Sequence, residues 1–358
     1  MGDRDLGVFE HSEYRDHEHV AFVGDEATGL RAIIAIHSTV LGPGGGGIRF
    51  FPYASSDEAL GDVLRLSRAM TLKMALAGIP FGGGKAVIIG DPKADKTEPL
   101  LEAFGRAMDA LEGRFVCGED VGTTPEDMAV IHRQTPHVAG RPDTTGDTSP
   151  TTGEGVFNAI RAAVAHRWGR DDLSGLKVAV QGVGNVGSFL CGHLAGRGAE
   201  IFVTDVNEAA VDRAAQRFGA TAVPPEAILG LDVDVLAPCA LGGIFDDRTI
   251  PEIKAKVVCG GANNQLAEDR HAEALAARDI LYVPDFLANA GGVISGTSPF
   301  LGRDASDVAA GVAAIYDTCA RLLDLAATEA ITPNAAAERL VEEAIVARRG
   351  ERWQPDAS

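Results

Sequence analysis

The stretch from Lys177 to Asp205 constrains the fold more than any other part of the chain. Val178-Ala-Val-Gln181 is a short apolar strand, Gly182-Val-Gly-Asn-Val-Gly187 follows it directly, and an apolar helical pattern continues through Leu194. A bare GxGxxG is a weak signal, but strand, turn and helix in this order make it specific. Gly182 permits the tight turn, Gly184 lets a diphosphate approach the backbone, and Gly187 allows the helix to pack closely on the strand. Asn185 and Val186 open that helix, whose free N–H groups and positive dipole end suit an anion. A second strand, Ile201-Phe-Val-Thr204, ends in Asp205, about 20 residues past the last glycine. A carboxylate there accepts the hydroxyls of an adenosine ribose and repels a 2′-phosphate, and no Lys or Arg follows until Arg213. These residues predict a Rossmann-type unit that takes NAD in preference to NADP.

The chain is longer than that unit. Its 358 residues leave room for two or three domains, and 46% hydrophobic residues supply a core for each. The net charge of −19 repels phosphate backbones, which argues against nucleic acid and anionic membranes as partners. The first residues, Met1-Gly-Asp-Arg-Asp, lead into charged sequence without an apolar signal region. The longest uncharged stretch, Phe286 to Gly302, is too rich in Gly, Asn, Ser and Pro to span a membrane. Five cysteines, odd in number, far apart and never in CxxC, fit reduced thiols in a cytoplasm. Among them, Cys191 is expected to be a packing residue and Cys239 a small hydrophobe beside the cofactor. His17 and His19 lie near Glu10 and Asp16, but nothing places further ligands, so no metal is expected.

Ahead of the nucleotide unit, Val20 to Val23 and Leu30 to His37 read as two strands joined by a turn. A glycine-rich loop is expected from Leu41 to Arg49. Ser55 and Glu58 form a capping-box signature for a helix that runs to Gly78 and Pro80. Ala86 to Ile89 and Arg114 to Cys117 read as strands, with a helix from Leu100 to Leu111 between them. Gly140 to Gly155 lacks periodicity and marks a boundary, and a helix is expected from Val156 to His166. Helix and strand patterns then alternate to about Asp285, and an alanine-rich helical tail follows from Ala305. The predicted class is α/β, with an N-terminal α/β domain at 1–148, a Rossmann-type domain at 149–310, and C-terminal helices at 311–358 packing back towards the first domain.

Lysine is scarce: only seven of the 32 basic residues are Lys, yet Lys73 and Lys85 fall within twelve positions of each other. Lys73 lies near the end of the first long helix, and Lys85 follows Gly82-Gly-Gly84, which would clear bulk from around its ammonium. Two nearby cations depress each other's pKa and burial lowers it further, so one of the pair can serve as a base near neutral pH. A phosphate-loop reading fails, because Ile79 stands where the first glycine is needed and Ala86 where Ser or Thr is needed. Asp120, in Cys117-Gly-Glu-Asp-Val-Gly-Thr-Thr124, places a carboxylate just after a strand. Thr124-Pro-Glu-Asp127 then appears in a form ready to cap a helix.

At this point the chain resembles the glutamate/leucine/phenylalanine/valine dehydrogenases, and specifically their leucine–phenylalanine–valine branch. The resemblance runs from about Val20 to Arg348. It rests on Leu41-Gly-Pro with Gly46-Gly-Ile-Arg49, Met70-Thr-Leu-Lys73, Gly82-Gly-Gly-Lys85, Glu119-Asp-Val-Gly-Thr123, the Gly182–Gly187 fingerprint, Ala237-Pro-Cys-Ala-Leu-Gly-Gly243, Gly261-Ala-Asn-Asn264 and Asn289-Ala-Gly-Gly292. It implies reversible NAD-dependent oxidative deamination of an L-amino acid to a 2-oxo acid, ammonia and NADH, in a homo-oligomer assembled through the first domain. By the same resemblance Lys73 pairs with the substrate carboxylate, Lys85 is the general base and Asp120 shuttles protons at the amino group. Asn263 or Asn264, with Asn289, would contact the nicotinamide side or the substrate, and Ala240 would lie against the cofactor. Ile48 departs from the family, which usually has Thr before the arginine.

The side chain of the substrate is expected to be apolar, since Lys73 and Lys85 are already assigned. Gly45, beside Gly46 and Gly47, stands where branched-chain relatives usually carry a bulky residue. Gly118 stands where they often carry alanine, and Gly296, after Val293, where valine is frequent. Three positions trimmed to glycine favour phenylalanine or another aromatic substrate, at about 0.8 kcal/mol per additional buried CH₂. The alternative is a leucine or valine enzyme. More distant alternatives are a 2-hydroxy-acid dehydrogenase, which would normally need a His base, and a non-catalytic NAD-binding protein, which would need neither Lys85 nor Asp120.

Overall fold

The computed structural model describes residues 7–142, 146–240 and 242–348. Residues 349–358 of the expected tail and Leu241, inside the Ala237–Gly243 motif, lie outside the described residues. The chain divides into two compact units. The first comprises 1–146, 299–301 and 341–358, and the second 147–298 and 302–340.

The first unit is a five-stranded mixed sheet. Strands β1 (His19–Asp25), β2 (Leu30–Ser38), β3 (Gly44–Phe51), β4 (Gly82–Ile89) and β5 (Phe115–Glu119) lie in the order β1-β2-β4-β3-β5. β1–β2 and β2–β4 are antiparallel, whereas β3 runs parallel to both β4 and β5. One face carries α1 (Ser56–Leu76), whose Leu60, Val63 and Leu64 pack on Ile33, Ala35 and Val87. On the other face, α2 (Glu98–Asp109) and α3 (Pro125–His132) cover Ile34, Ile48, Phe50, Ile88 and Phe115. Each fully buried Phe there contributes about 1.5–3 kcal/mol. Ser55 caps α1 by accepting from the Glu58 N–H at 3.0 Å, but Glu58 returns its bond to Ala54, so the expected box is only half formed. Thr124 and Asp127 complete a full box at α3.

The glycine-rich segment from Leu41 to Arg49 is not the expected loop. From Gly44 onward it is β3, bonded on both sides, and Gly82–Gly84 likewise belong to β4. Propensity argues against glycine in strands, but here the bare backbones allow neighbours that a side chain would exclude. A Cβ at Gly83 would meet Thr71 N of α1 at 2.3 Å, and one at Gly82 would meet the Ser38 carbonyl oxygen at 1.8 Å.

The second unit is a six-stranded parallel sheet of β6 (Lys177–Gln181), β7 (Glu200–Thr204), β8 (Thr221–Ala222), β9 (Val235–Pro238), β10 (Val257–Val258) and β11 (Leu281–Tyr282). The order β11-β10-β9-β6-β7-β8 reverses direction between β6 and β9, the switch point where doubly wound sheets bind nucleotides. Its helices are α4 (Ser149–Trp168), α5 (Asn185–Ala195), α6 (Glu208–Phe218), α7 (His271–Ala276), α8 (Asp285–Ala288), α9 (Gly291–Thr297), α10 (Ala305–Ala313) and α11 (Ile315–Glu329); α12 (Pro333–Ala347) follows. The aperiodic stretch from Gly140 to Gly155 conceals the start of α4, which begins at Ser149 rather than Val156. Gly153 and Gly155 hid it because they pack against neighbours instead of stopping the helix. A Cβ on Gly153 would meet Phe189 of α5 at 2.8 Å, and one on Gly155 would meet Ile315 of α11 at 2.9 Å. Helix α11, part of the C-terminal segment expected from residue 311, groups with the second unit and packs on α4.

Candidate active site

Strand alternation places Lys85 two residues before Val87, on the α1 face of β4. Gly47 and Arg49 of β3 share that face, and Asp120 follows the end of β5. Lys85 Nζ lies 2.8 Å from Asp120 Oδ2, and the two side chains are 8% and 23% exposed. Gly47 is what admits them: its Cβ would stand 2.7 Å from Asp120 Cβ and 3.2 Å from Lys85 Nζ. The glycines before Lys85 instead serve the packing of α1 and the neighbouring strands, because only Gly83 shares its face and Gly83 presses on Thr71.

Burial pushes the Lys85 pKa down, against the raising effect of the Asp120 carboxylate. Arg49 is a cation that lowers it further. For Asp120, burial works to raise the pKa, but Lys85 and Arg49 outweigh it and hold the carboxyl below its usual value. Such a pair combines an ammonium prone to release its proton with a carboxylate that stays ionised.

Lys73 is half-buried on α1, and Met70 and Met74 around it reach Gly46 and Gly45. A Cβ at Gly45 would meet Met74 Cε at 3.0 Å and Phe81 at 3.5 Å, so the room that position leaves is already filled. Gly46 is glycine for backbone reasons, since its Cβ would lie 1.8 Å from the Gly84 carbonyl oxygen. Gly118 differs, because nothing lies within 4 Å of a Cβ built there. Ile48 is fully buried on the opposite face of β3, so its departure from the family pattern does not touch the lysine face. His17 Nε2 is engaged by the Leu64 carbonyl oxygen and Ser67 Oγ, both at 3.0 Å, as a core residue.

The second unit shows a fit for a dinucleotide. Gly182 has φ +92°, and its Cβ would meet Ala240 at 2.8 Å. Gly187 brings α5 against β6, since a Cβ there would stand 2.0 Å from the Gly182 carbonyl oxygen. Gly184 opens onto free space and caps α5 without a side-chain bond, which leaves the first-turn N–H groups at Asn185, Val186 and Gly187 for an anion. Asp205 Oδ2 accepts from Val183 N at 2.8 Å and Oδ1 from Asn207 N at 2.9 Å, fixing the loop as well as offering a carboxylate to a ribose.

Asn289 Nδ2 donates to Asn263 Oδ1 at 2.8 Å and to the Gly261 carbonyl oxygen at 3.3 Å. Its buried Oδ1 has no partner among the described residues, which suits an amide N–H such as that of a carboxamide. Asn264 stands apart from that pair. Its backbone is left-handed at φ +53°, and its N–H is bonded to Asp285. Val293 and Gly296 lie on α9, and among the described residues a Cβ at Gly296 would meet the Thr148 methyl at 3.9 Å. Burial raises the Cys239 thiol to about 11, which suits a packing residue better than a nucleophile.

The residues that sequence reasoning missed are Arg49 and Asp62. Arg49 Nε donates to Asp120 at 3.1 Å and Nη1 to Asp62 at 2.8 Å. Alternation from Gly45 and Gly47 would have put Arg49 on the lysine face, had this segment been read as a strand.

Known proteins place the chain in a family. Residues 17–137 match the model for the Glu/Leu/Phe/Val dehydrogenase dimerisation domain, and 146–214 with 199–302 match the Glutamate/Leucine/Phenylalanine/Valine dehydrogenase model. The leucine dehydrogenase of Bacillus cereus is 46% identical over 350 residues, 97% of this chain and 96% of its own length. The phenylalanine dehydrogenase of Caldalkalibacillus thermarum is 46% identical over 341 residues, 93% and 92% of the two chains. The crystal structure of L-tryptophan dehydrogenase from Nostoc punctiforme superposes with a TM-score of 0.85 at 45% identity, covering 93% of this chain and 97% of that one. With a parallel nucleotide-binding sheet behind a glycine fingerprint and a buried lysine–aspartate pair, the chain belongs to the Glu/Leu/Phe/Val dehydrogenase family, in its Leu/Phe/Val branch, and is an NAD-dependent amino-acid dehydrogenase.

Proposed function

We propose that the protein catalyses reversible oxidative deamination of an apolar L-amino acid, with phenylalanine or another aromatic preferred. The observation that carries this reading is the buried Lys85 ammonium 2.8 Å from Asp120, in a space that Gly47 keeps clear. Lys73 holds the α-carboxylate of the substrate. Bound NAD, seated on Gly182, Gly184, Asn185, Val186, Gly187, Asp205, Ala240, Asn263 and Asn289, supplies the hydride acceptor. Asp120, held as a carboxylate, takes the proton from the substrate nitrogen and returns it. Lys85, whose pKa burial lowers, acts in its neutral form and accepts a proton from the water that attacks the imine carbon. Arg49 is engaged by Asp120 and Asp62, so a side-chain carboxylate would find no cation there. That supports an apolar substrate.

Gly118, two residues before Asp120, faces open space, and Gly296 meets only a distant methyl. Both favour a large ring, with Val293 and Asn264 as further contacts. The branched-chain reading has its own support, since Met74 and Phe81 fill the space at Gly45 as a bulky residue would. The relatives are named for leucine, tryptophan and phenylalanine at the same 46% identity. The test is kcat/KM for L-phenylalanine, L-tryptophan, L-leucine and L-valine, alongside the matching 2-hydroxy acids. An aromatic should lead, and the reverse reaction should require ammonia. Leucine or valine ahead of both aromatics by tenfold would establish the branched-chain alternative. The same reading makes the protein a homo-oligomer built through residues 17–137, working in a cytoplasm that keeps its five cysteines reduced.

A further inference from the structure

The residues assigned above leave Arg49, Asp62 and Tyr53 without a role. Each is held by hydrogen bonds to the others or to Asp120. Arg49 Nε and Lys85 Nζ meet at the same oxygen, Asp120 Oδ2, at 3.1 and 2.8 Å. The other end of the guanidinium is anchored, since Nη1 donates to Asp62 Oδ2 at 2.8 Å. Asp62 is itself fixed: the Tyr53 hydroxyl donates to the same Oδ2 at 2.6 Å, and Arg65 Nη2 donates to Oδ1 at 2.7 Å. Arg49 and Asp62 are 18% and 13% exposed, so their charges interact through little water.

We propose that Arg49, anchored by Asp62 and Tyr53, is a positioning residue that fixes the Asp120 carboxylate against the Lys85 ammonium. The inference rests on the assignment of Lys85 and Asp120 as the proton-handling pair. Its physical content lies in the step at which Lys85 is neutral. A lysine that has given up its proton no longer holds Asp120 by charge. A guanidinium cannot give up its proton in a protein, so Arg49 keeps Asp120 aimed, and favours its carboxylate form, while Lys85 is neutral. The charged groups acting on Lys85 include Arg49 from β3, Asp62 from α1 and Asp120 after β5. Lys73 lies about three turns further along α1 from Asp62.

The two anchors act on Lys85 with opposite sign, because Arg49 lowers its pKa and Asp62 raises it. Removing Arg49 should therefore move the acidic limb of kcat to higher pH, and removing the Asp62 charge should move it to lower pH. A merely structural role would not produce that opposition. The experiment is kcat against pH for wild type, Arg49→Met, Arg49→Lys and Asp62→Asn, using the amino acid that the wild type turns over fastest. Arg49→Met should lose at least tenfold in kcat, with the limb raised by roughly one pH unit. Arg49→Lys should restore the limb without the full rate, since it keeps the charge and loses the fork. Asp62→Asn should lower the limb. If Arg49→Met does not fold, Arg49→Lys and Asp62→Asn decide the matter by rate and direction of shift. Limbs that coincide across the folded variants, or a full rate in Arg49→Lys, would overturn the proposal. Lys85→Ala, assayed in parallel, separates the two levels. Turnover by that variant removes the proton-handling pair itself, whereas its inactivity beside unmoved limbs removes only Arg49.

Discussion

Gly82–Gly84 in the first unit and Gly182–Gly187 in the second are both glycine-rich segments, but they serve different ends. In the nucleotide unit each glycine does what its local motif predicts. Gly182 turns at positive φ, Gly187 brings helix onto strand, and Gly184 faces open space. In the first unit the glycines sit inside strands, and their missing side chains are replaced by other parts of the fold: Thr71, Ser38 and the Phe115 ring. The clearance around Lys85 comes from Gly47, thirty-eight residues earlier and on another strand. A glycine that admits a ligand is thus distinguished from one that admits a helix only by what stands opposite it.

The largest effect that bears on this comparison is chemical. Lys85→Ala should lower kcat by roughly 10²–10⁴-fold while NADH binding, followed by fluorescence titration, stays within twofold of wild type. Turnover within tenfold of wild type would show that the proton chemistry lies elsewhere.

Gly83→Ala tests the packing role directly. Its Cβ would stand 2.1 Å from Thr71 Oγ1 and 2.3 Å from Thr71 N. The helix must move, and urea unfolding should show a loss of about 3 kcal/mol. A loss below about 0.5 kcal/mol would mean that α1 gives way freely.

Acid should fall on the same contact. His37 Nδ1 lies 2.9 Å from Thr71 Oγ1, and its ring meets His17 edge-on at 4.9 Å. Burial, with His17 and Arg68 adding to it, pulls the His37 pKa down from 6.5 to about 3. Both folded and unfolded states hold it neutral above pH 6.5. Below that, the unfolded chain takes up the proton first, so stability falls by about 2 kcal/mol between pH 6.5 and 5 from this residue alone. Amide protection factors should fall in β2 and α1 more than in β6 over that range. His37→Gln should flatten the loss, and an undiminished loss would clear His37 of it.

Gly184→Ala is the mildest change and the sharpest contrast with Gly83→Ala. Its φ of −65° accepts alanine and nothing lies within 4 Å, so stability should stay within about 0.5 kcal/mol. NADH affinity should nevertheless fall at least tenfold, because the methyl group occupies space the diphosphate needs. Unchanged affinity would place the diphosphate elsewhere.

The nucleotide unit was legible from sequence because its information is local. Strand, glycines, helix and Asp205 fall within about 30 residues, and each acts on its chain neighbours. Lys85 and Asp120 were legible as candidates by residue type and setting. Their pairing was not, because it depends on β3 lying between β4 and β5, a non-local arrangement that a glycine-rich segment does not announce. The same order of strands decided that Arg49 and Asp62 join the pair and that Met74 and Phe81 close the space at Gly45. Residue identity therefore determined which groups could carry the chemistry. Only the tertiary structure decided which of them meet, because side-chain pKa values and clearances are set by neighbours that the chain brings together from far apart.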